Sequence, residues 1–302
     1  MKAKSVRRSV VGWAIAAALI LAPLVVVGAN MIGRYSGLTV DRESPVAVLA
    51  RLGPHFEVTR PDWPGPYPTA LLFSGCDGPS SNIAAWAAAM AERGWATIMI
   101  DSHTPRGLHE PQLWPLVCAG QVMTGAERAG DVAVALAHAR ALSFVDAERI
   151  ALIGASHGGW AILEFLSMAD HGEVPITLTD WPIGMHAPAT EGVRGAVLLY
   201  PYCGELNRAS WLGWESEIPM LFLLAEGDLV ADEEDCLDVI EREVARGLPL
   251  EAEVFTGVTH GFDHVSSLEF SLNTYDAEAA ARAFEMMGSF LDRSLRFTPA
   301  AQ

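Results

Sequence analysis

Basic residues are scarce. The 302-residue chain carries 20 Lys and Arg against 37 Asp and Glu, a formal net charge of −17, and no basic patch with interleaved aromatics occurs, which argues against nucleic acid as a partner. The acidity itself is read as serving solubility. The chain lacks an internal repeat, which excludes solenoids and propellers. It also lacks low-complexity tracts, and it has no Cys and His at metal-ligand spacing, so neither a metal nor a cofactor is expected. No linker interrupts the sequence, so one large domain is the reading for a chain this long with 51% hydrophobic residues. Cysteine is limited to four residues.

What is present begins with a basic, acid-free start, MKAKSVRRS, followed by an uncharged run from Val10 to Ala29. Residues 1–30 are thus expected to be a signal peptide or a membrane anchor. Twenty residues rising 1.5 Å each give about 30 Å, enough for a bilayer core, whereas the apolar part of a cleaved signal is usually about 7 to 15 residues. Length therefore favours an anchor, while Pro23 and the small residues Val27-Gly28-Ala29 favour cleavage. Both readings export everything beyond about residue 30, to a periplasmic or other extracytoplasmic location. In the next segment, 31–66, Pro45, Pro54, Pro61, Pro64 and Pro66 break regular structure, so an irregular lead-in is expected with only His55 to Thr59 as a short edge strand.

Residues 67–302 read as an α/β domain. Strands are expected at Thr69–Phe73, Ala96–Ile100, Ile150–Ile153, Ala196–Tyr200, Met220–Leu224 and Glu253–Thr256. Helices are expected from about Ser80 to Arg93, Ala126 to Leu142, along the stretch after Ser156 through Leu166, near Asp232–Ala245 and over Asp276–Arg293. Such alternation implies a mostly parallel sheet with helices on both faces and a site beyond the carboxyl ends of its strands. The aperiodic, Pro-containing stretch His171–Gly192 is of the kind that covers active sites.

The stretch RIALIGASHGGW, Arg149–Trp160, organises this domain. An apolar strand runs into Gly154-Ala155-Ser156-His157-Gly158 and then into a helix, the G-x-S-x-G pattern that exposes a serine on a sharp turn. A serine hydroxyl needs a base to take its proton, and the base needs an orienting acid. Two later strand ends supply them, as Asp228 follows the Met220 strand and His260 stands in the loop after the Glu253 strand. Each has a bland alternative: Ser156 and Asp228 could be helix caps, and His260 a surface loop residue. Asp232 is a second candidate acid and His264 a second candidate base, whereas His103, His109, His138 and His171 are read as structural or solvent-facing. The order Ser156, Asp228, His260 is that of an α/β-hydrolase. Backbone N–H groups of Cys76 and His157 are the expected oxyanion donors.

On these residues the chain resembles the dienelactone hydrolase family of α/β-hydrolases. The likeness runs from about Pro68 to Leu291 and rests on LLFSGCDG (71–78), DSHTPRG (101–107), ERAGD (127–131), GASHGG (154–159), YPYCG (200–204), EGDLVADEEDC (226–236) and THGFD (259–263). The resemblance implies Ser156 as nucleophile, Asp228 as acid and His260 as base. Ser156 stands where dienelactone-cleaving members carry cysteine, and Ser74 where a histidine is usual before the oxyanion glycine, which puts dienelactone itself in doubt as substrate. Arg106 is a candidate for a substrate carboxylate, against the simpler reading of a salt bridge holding its loop; Arg128 and Asp131 are read as a structural i, i+3 pair.

Four cysteines in an exported chain allow three disulfide connectivities. Cys76 and Cys118 lie in loops leaving early strands, and Cys203 and Cys236 follow two later ones, so these pairs are expected. The functional expectation is an exported serine hydrolase acting on small-molecule carboxylic esters, with residues 10–29 as its membrane-associating segment. A serine peptidase, or a catalytically silent binding protein on the same fold, are the alternatives.

Overall fold

The computed structural model describes residues 2–185, 189–265 and 273–296, and for 2–12, 14–17 and 20 the helical backbone only. The first helix, α1, runs over Lys2–Tyr35 and α2 over Pro45–Leu52; β1 (Phe56–Thr59), β2 (Tyr67–Phe73), α3 (Ser81–Glu92), β3 (Ala96–Ile100) and α4 (Gly125–Arg140) follow. The chain continues with β4 (Val145–Ala155), α5 (His157–Asp170), β5 (Val193–Leu199), the one-turn α6 (Ala209–Leu212), β6 (Met220–Ala225), α7 (Glu233–Ala245), β7 (Leu250–Phe255) and α8 (Ala277–Ser294).

Seven strands form one sheet in the order β1-β3-β2-β4-β5-β6-β7. Only β1 is antiparallel to its neighbour, while the other pairs are parallel. Side chains alternate across the sheet. Leu71, Phe73, Ile98, Leu152 and Phe222 join one buried cluster with α4 and α5, and Leu72, Met99, Ile153 and Leu223 join another with Trp86 of α3 and Phe290 of α8. Burial of both faces explains why the central strands read as continuous apolar runs. This is the α/β-hydrolase arrangement.

Two expectations are corrected. The segment 31–66 is not irregular throughout, because α1 continues to Tyr35 and α2 occupies Pro45–Leu52. Ser44 caps α2 by accepting from the Ala47 N–H, and Pro45 takes the first helical position, where its missing N–H costs nothing; the proline taken as a breaker starts a helix. His171–Gly192 does not close over the carboxyl ends of the strands, as far as it is described. Leu178 is fully buried in the core, Thr177 donates to the Glu127 carbonyl, and Trp181 packs edge-on against Phe165. Residues 186–188 of this stretch lie outside the described residues. Among the described residues no helix is long and apolar enough to cross a membrane; in the run Val10–Ala29, residues 10–12, 14–17 and 20 are described by their helical backbone only.

Cys76 is bonded to Cys118 and Cys203 to Cys236, with sequence separations of 42 and 33, which points to an extracytoplasmic location. Loops of this length remove chain entropy worth about 4 kcal/mol each from the unfolded state on the loop-closure model. A thiol titration of the protein unfolded without reductant should therefore find no reactive thiol, and reduction should lower the denaturation midpoint. Four reactive thiols would contradict the pairing.

Candidate active site

Residue geometry at the β4–α5 junction is set by close backbone packing. Ser156 has φ 49° and ψ −114°, a conformation that L residues rarely adopt. The turn closes because its glycines have no Cβ. At Gly154 a Cβ would lie 2.6 Å from the Gly158 carbonyl carbon, and at Gly158 it would lie 2.2 Å from the Phe73 carbonyl oxygen of β2. The Ser156 N–H donates to the Leu199 carbonyl at 2.8 Å, tying the turn to the end of β5.

Ser156 meets the two residues that follow β6 and β7. His260 Nε2 lies 2.9 Å from Ser156 Oγ, and His260 Nδ1 lies 2.6 Å from Asp228 Oδ2. A carboxylate only accepts, so Nδ1 carries the proton toward Asp228 and Nε2 is free to accept from the serine. The other Asp228 oxygen, Oδ1, accepts from the N–H groups of Val230 and Ala231. All three side chains are buried. Asp232 is elsewhere engaged, capping α7 through the Glu234 N–H.

The sequence reading missed the support behind His260. Tyr200, at φ 37°, sets its ring edge-on to the imidazole with centroids 4.7 Å apart, and its hydroxyl donates to Asp263 Oδ1 at 2.5 Å. Asn82 Nδ2 reaches both Asp263 oxygens at 3.4–3.5 Å. Burial raises the pKa of the Asp263 carboxyl, while the Tyr200 and Asn82 hydrogen bonds oppose the rise. The only signal in the sequence was the pair of motifs YPYCG and THGFD, which does not say that they meet.

Cys76 stands in the turn after β2 and is tied to Cys118. The expected oxyanion residues, Cys76 and His157, both border the cavity at Ser156. Arg128 links their segments. Its Nη1 is 2.9 Å from the Ser74 carbonyl oxygen and 3.0 Å from His157 Nδ1; guanidinium only donates, so His157 accepts at Nδ1 and carries its proton on Nε2. Burial pushes the Arg128 pKa down to about 10 and, with Arg128 adding to it, lowers that of His157. The expected Arg128–Asp131 pair is thereby corrected, since Asp131 instead receives a bidentate pair from Arg106 at 2.8 and 2.9 Å. Arg106 also donates to the Ser102 carbonyl. It is held by its loop and does not border the cavities at Ser156, so its candidacy for a substrate carboxylate is withdrawn. His264 pairs with Asp77 at 3.2 Å, a hydrogen bond that raises its pKa. His103 is buried, and His171 bonds the Ser167 carbonyl. Among the described residues no group of three or more His, Cys, Asp or Glu could hold a metal.

Beneath the site, Glu164 is fully buried on α5, where Oε1 accepts from Trp160 Nε1 and the Arg208 N–H. Burial pushes its carboxyl up to about 7 from an ordinary 4.5. The folded state therefore holds a proton that the unfolded state has released, and stability should fall as pH rises from about 4.5 to about 7, by on the order of 3 kcal/mol. Melting curves across that window should be flatter for Glu164→Gln than for the wild type. Equal slopes would show that this carboxyl titrates normally.

Comparison with known proteins agrees with this architecture. The model of the dienelactone hydrolase family matches residues 183–295, a span that holds Asp228 and His260 and leaves Ser156 outside. A protein of Aquifex aeolicus (strain VF5) assigned as a carboxymethylenebutenolidase is 29% identical over 80 residues; that match spans 26% of this chain and 33% of the relative, so the chain covers about a third of the relative's length. A structure assigned as a dienelactone hydrolase of Klebsiella pneumoniae superposes with TM-score 0.59 at 18% identity, covering 79% of this chain and 92% of that one. Butyrate-bound esterase 2 of Thermogutta terrifontis superposes with TM-score 0.56 at 19% identity, over 82% and 91%. A dienelactone hydrolase-like promiscuous phosphotriesterase from metagenomic libraries gives 0.55 at 17% identity, over 79% and 98%. At these identities the structural likeness speaks to the fold.

Proposed function

We propose that this chain, which has an α/β-hydrolase fold and matches the dienelactone hydrolase family model over residues 183–295, hydrolyses carboxylic esters through an acyl-enzyme formed on Ser156. One observation carries this reading: the unbroken hydrogen-bonded chain from Ser156 Oγ through His260 to Asp228 at the carboxyl end of the sheet. In this mechanism His260 Nε2 takes the serine proton as Oγ attacks the ester carbonyl. The imidazolium is stabilised by the Asp228 carboxylate, and it returns the proton to the departing alkoxide. The Cys76 and His157 N–H groups receive the negative charge that develops on the carbonyl oxygen. Water, deprotonated by His260, then attacks the acyl-serine, and His260 returns that proton to Ser156 Oγ as the acid departs. No step calls for a cofactor.

A fluorophosphonate should add one label to the protein, at Ser156, and Ser156→Ala or His260→Ala should each abolish it. Asp228→Asn should keep the fold and lower ester turnover by on the order of 10⁴, since His260 would then favour the wrong tautomer; Asp232→Asn should change turnover little. Labelling that survives Ser156→Ala would defeat the mechanism. A well-folded wild type that takes no label would favour a silent binding protein.

We further propose that residues 10–29 deliver the enzyme to the far side of a membrane, as an anchor or as a cleaved signal. Support comes from the acid-free basic start, from the two disulfides, and from the exposure of Leu19, Leu21, Leu24, Val25 and Val26 along α1, a patch of a kind that soluble surfaces avoid. A C-terminal reporter that works only outside the cytoplasm should be active in cells. N-terminal sequencing of the mature protein separates the two forms, because a start near Asn30 means cleavage, and a silent reporter would contradict export.

A further inference from the structure

Space around Ser156 divides into two unequal parts. One is a cavity of about 410 Å³ walled by Met31, Trp114, Trp160, Tyr202, Leu206 and Val230, within the usual range of small-molecule sites, about 300–1,000 Å³. The other is a cleft of about 20 Å³ bordered by Asp77, Asn82, His260 and His264, enough for a water-sized group. Ser156, Cys76, Trp114 and Val230 border both. His260 borders only the narrow cleft, whereas His157 and Trp160 border only the large apolar cavity.

That division orients a substrate. The base delivers its proton to the leaving oxygen, so the leaving group must lie on the His260 side. The acyl group then takes the other side, among Trp160, Tyr202 and Leu206. One wall of that side comes from outside the hydrolase domain, from the end of α1. Met31 Cε packs over Gly120, 3.5 Å from where a Cβ would stand. The end of α1 is fastened there on three sides. Asn30 donates to the Gln121 carbonyl at 2.8 Å, Arg34 pairs with Glu127 at 2.6 Å, and Tyr35 stacks on Trp211 with centroids 6.4 Å apart.

Resting on the ester-hydrolase reading above, we infer that the enzyme selects esters of an apolar, medium-length acyl chain with a small alcohol, and that Met31 at the end of α1 is a specificity-determining wall of the acyl pocket. The residue belongs to the working enzyme whether α1 is retained or cut after Ala29. Each methylene that enters the cavity leaves water, which raises kcat/KM by about threefold to fourfold. Substrate choice thus depends in part on a segment that lies outside the residues 183–295 matched by the family model.

The test uses the full chain and the methyl esters of acetic, butyric, hexanoic and octanoic acids, with released acid followed by titration. For the wild type, kcat/KM should rise steadily from acetate to hexanoate. Met31→Trp should fill the pocket and lower the octanoate-to-acetate ratio by tenfold or more, with Met31→Leu restoring the wild-type order. Leu206→Trp, which narrows the cavity from another element and does not border the cleft, should act in the same direction. A wild type that prefers acetate, or a ratio untouched by both tryptophan variants, would overturn the inference while leaving the ester reading intact. Failure to cleave any ester, together with absence of Ser156 labelling, would remove both.

Discussion

The contact of Gly158 with the Phe73 carbonyl is the constraint on which the site depends. It lets the first turn of α5 press against the end of β2, and the chain can then reverse so sharply after β4 that Ser156 is forced to positive φ. A side chain at Gly158 would push helix and strand apart. Two consequences follow from the same close approach: Oγ comes within reach of His260 Nε2, and His157 comes to border the same cavity as Cys76. Position of the hydroxyl and position of the proposed oxyanion donors are therefore one problem in backbone packing.

Around that junction the buried polar groups are arranged to hold loops. Arg128 reaches from α4 to the Ser74 carbonyl and to His157, so the segments before Cys76 and after Ser156 share one donor. Arg106 is satisfied by Asp131. Asp228 uses one oxygen for His260 and the other for its own loop, and Asp263, through Tyr200, braces the face of the same imidazole. Hydrogen bonds of this kind gain little net energy singly, but each would be costly to leave unmade in a buried place. Their combined effect is a base that has one orientation.

The cavity adds a different logic. Its apolar part is assembled from five separate stretches: the end of α1, the disulfide-tied loop with Trp114 and Cys118, Trp160 on α5, the loop after β5 and the loop after β6. The segment with the strongest sequence signature of a cover, His171–Gly192, lies instead against α4 and α5.

Much of this was legible in the residues. Apolar runs of strand length, closed by glycine or by an acid, located the central strands, because a sheet covered on both faces leaves no polar position to confuse the pattern. The G-x-S-x-G turn and two strand-end residues named Ser156, Asp228 and His260, and loop positions named the cysteine pairs. Prolines misled in 31–66, since Pro45 initiates a helix as readily as it would end one. What the sequence determined by itself is the local part: strand and helix periodicity, the glycines that a sharp turn requires, and which residues stand at strand ends. Only the tertiary structure decided that Arg106 answers Asp131, that Arg128 answers His157, that Tyr200 and Asp263 back His260, and that Met31 faces the site. Those pairings join residues far apart in the chain, and their distances are set by how helices pack on the sheet, a quantity that no local pattern encodes.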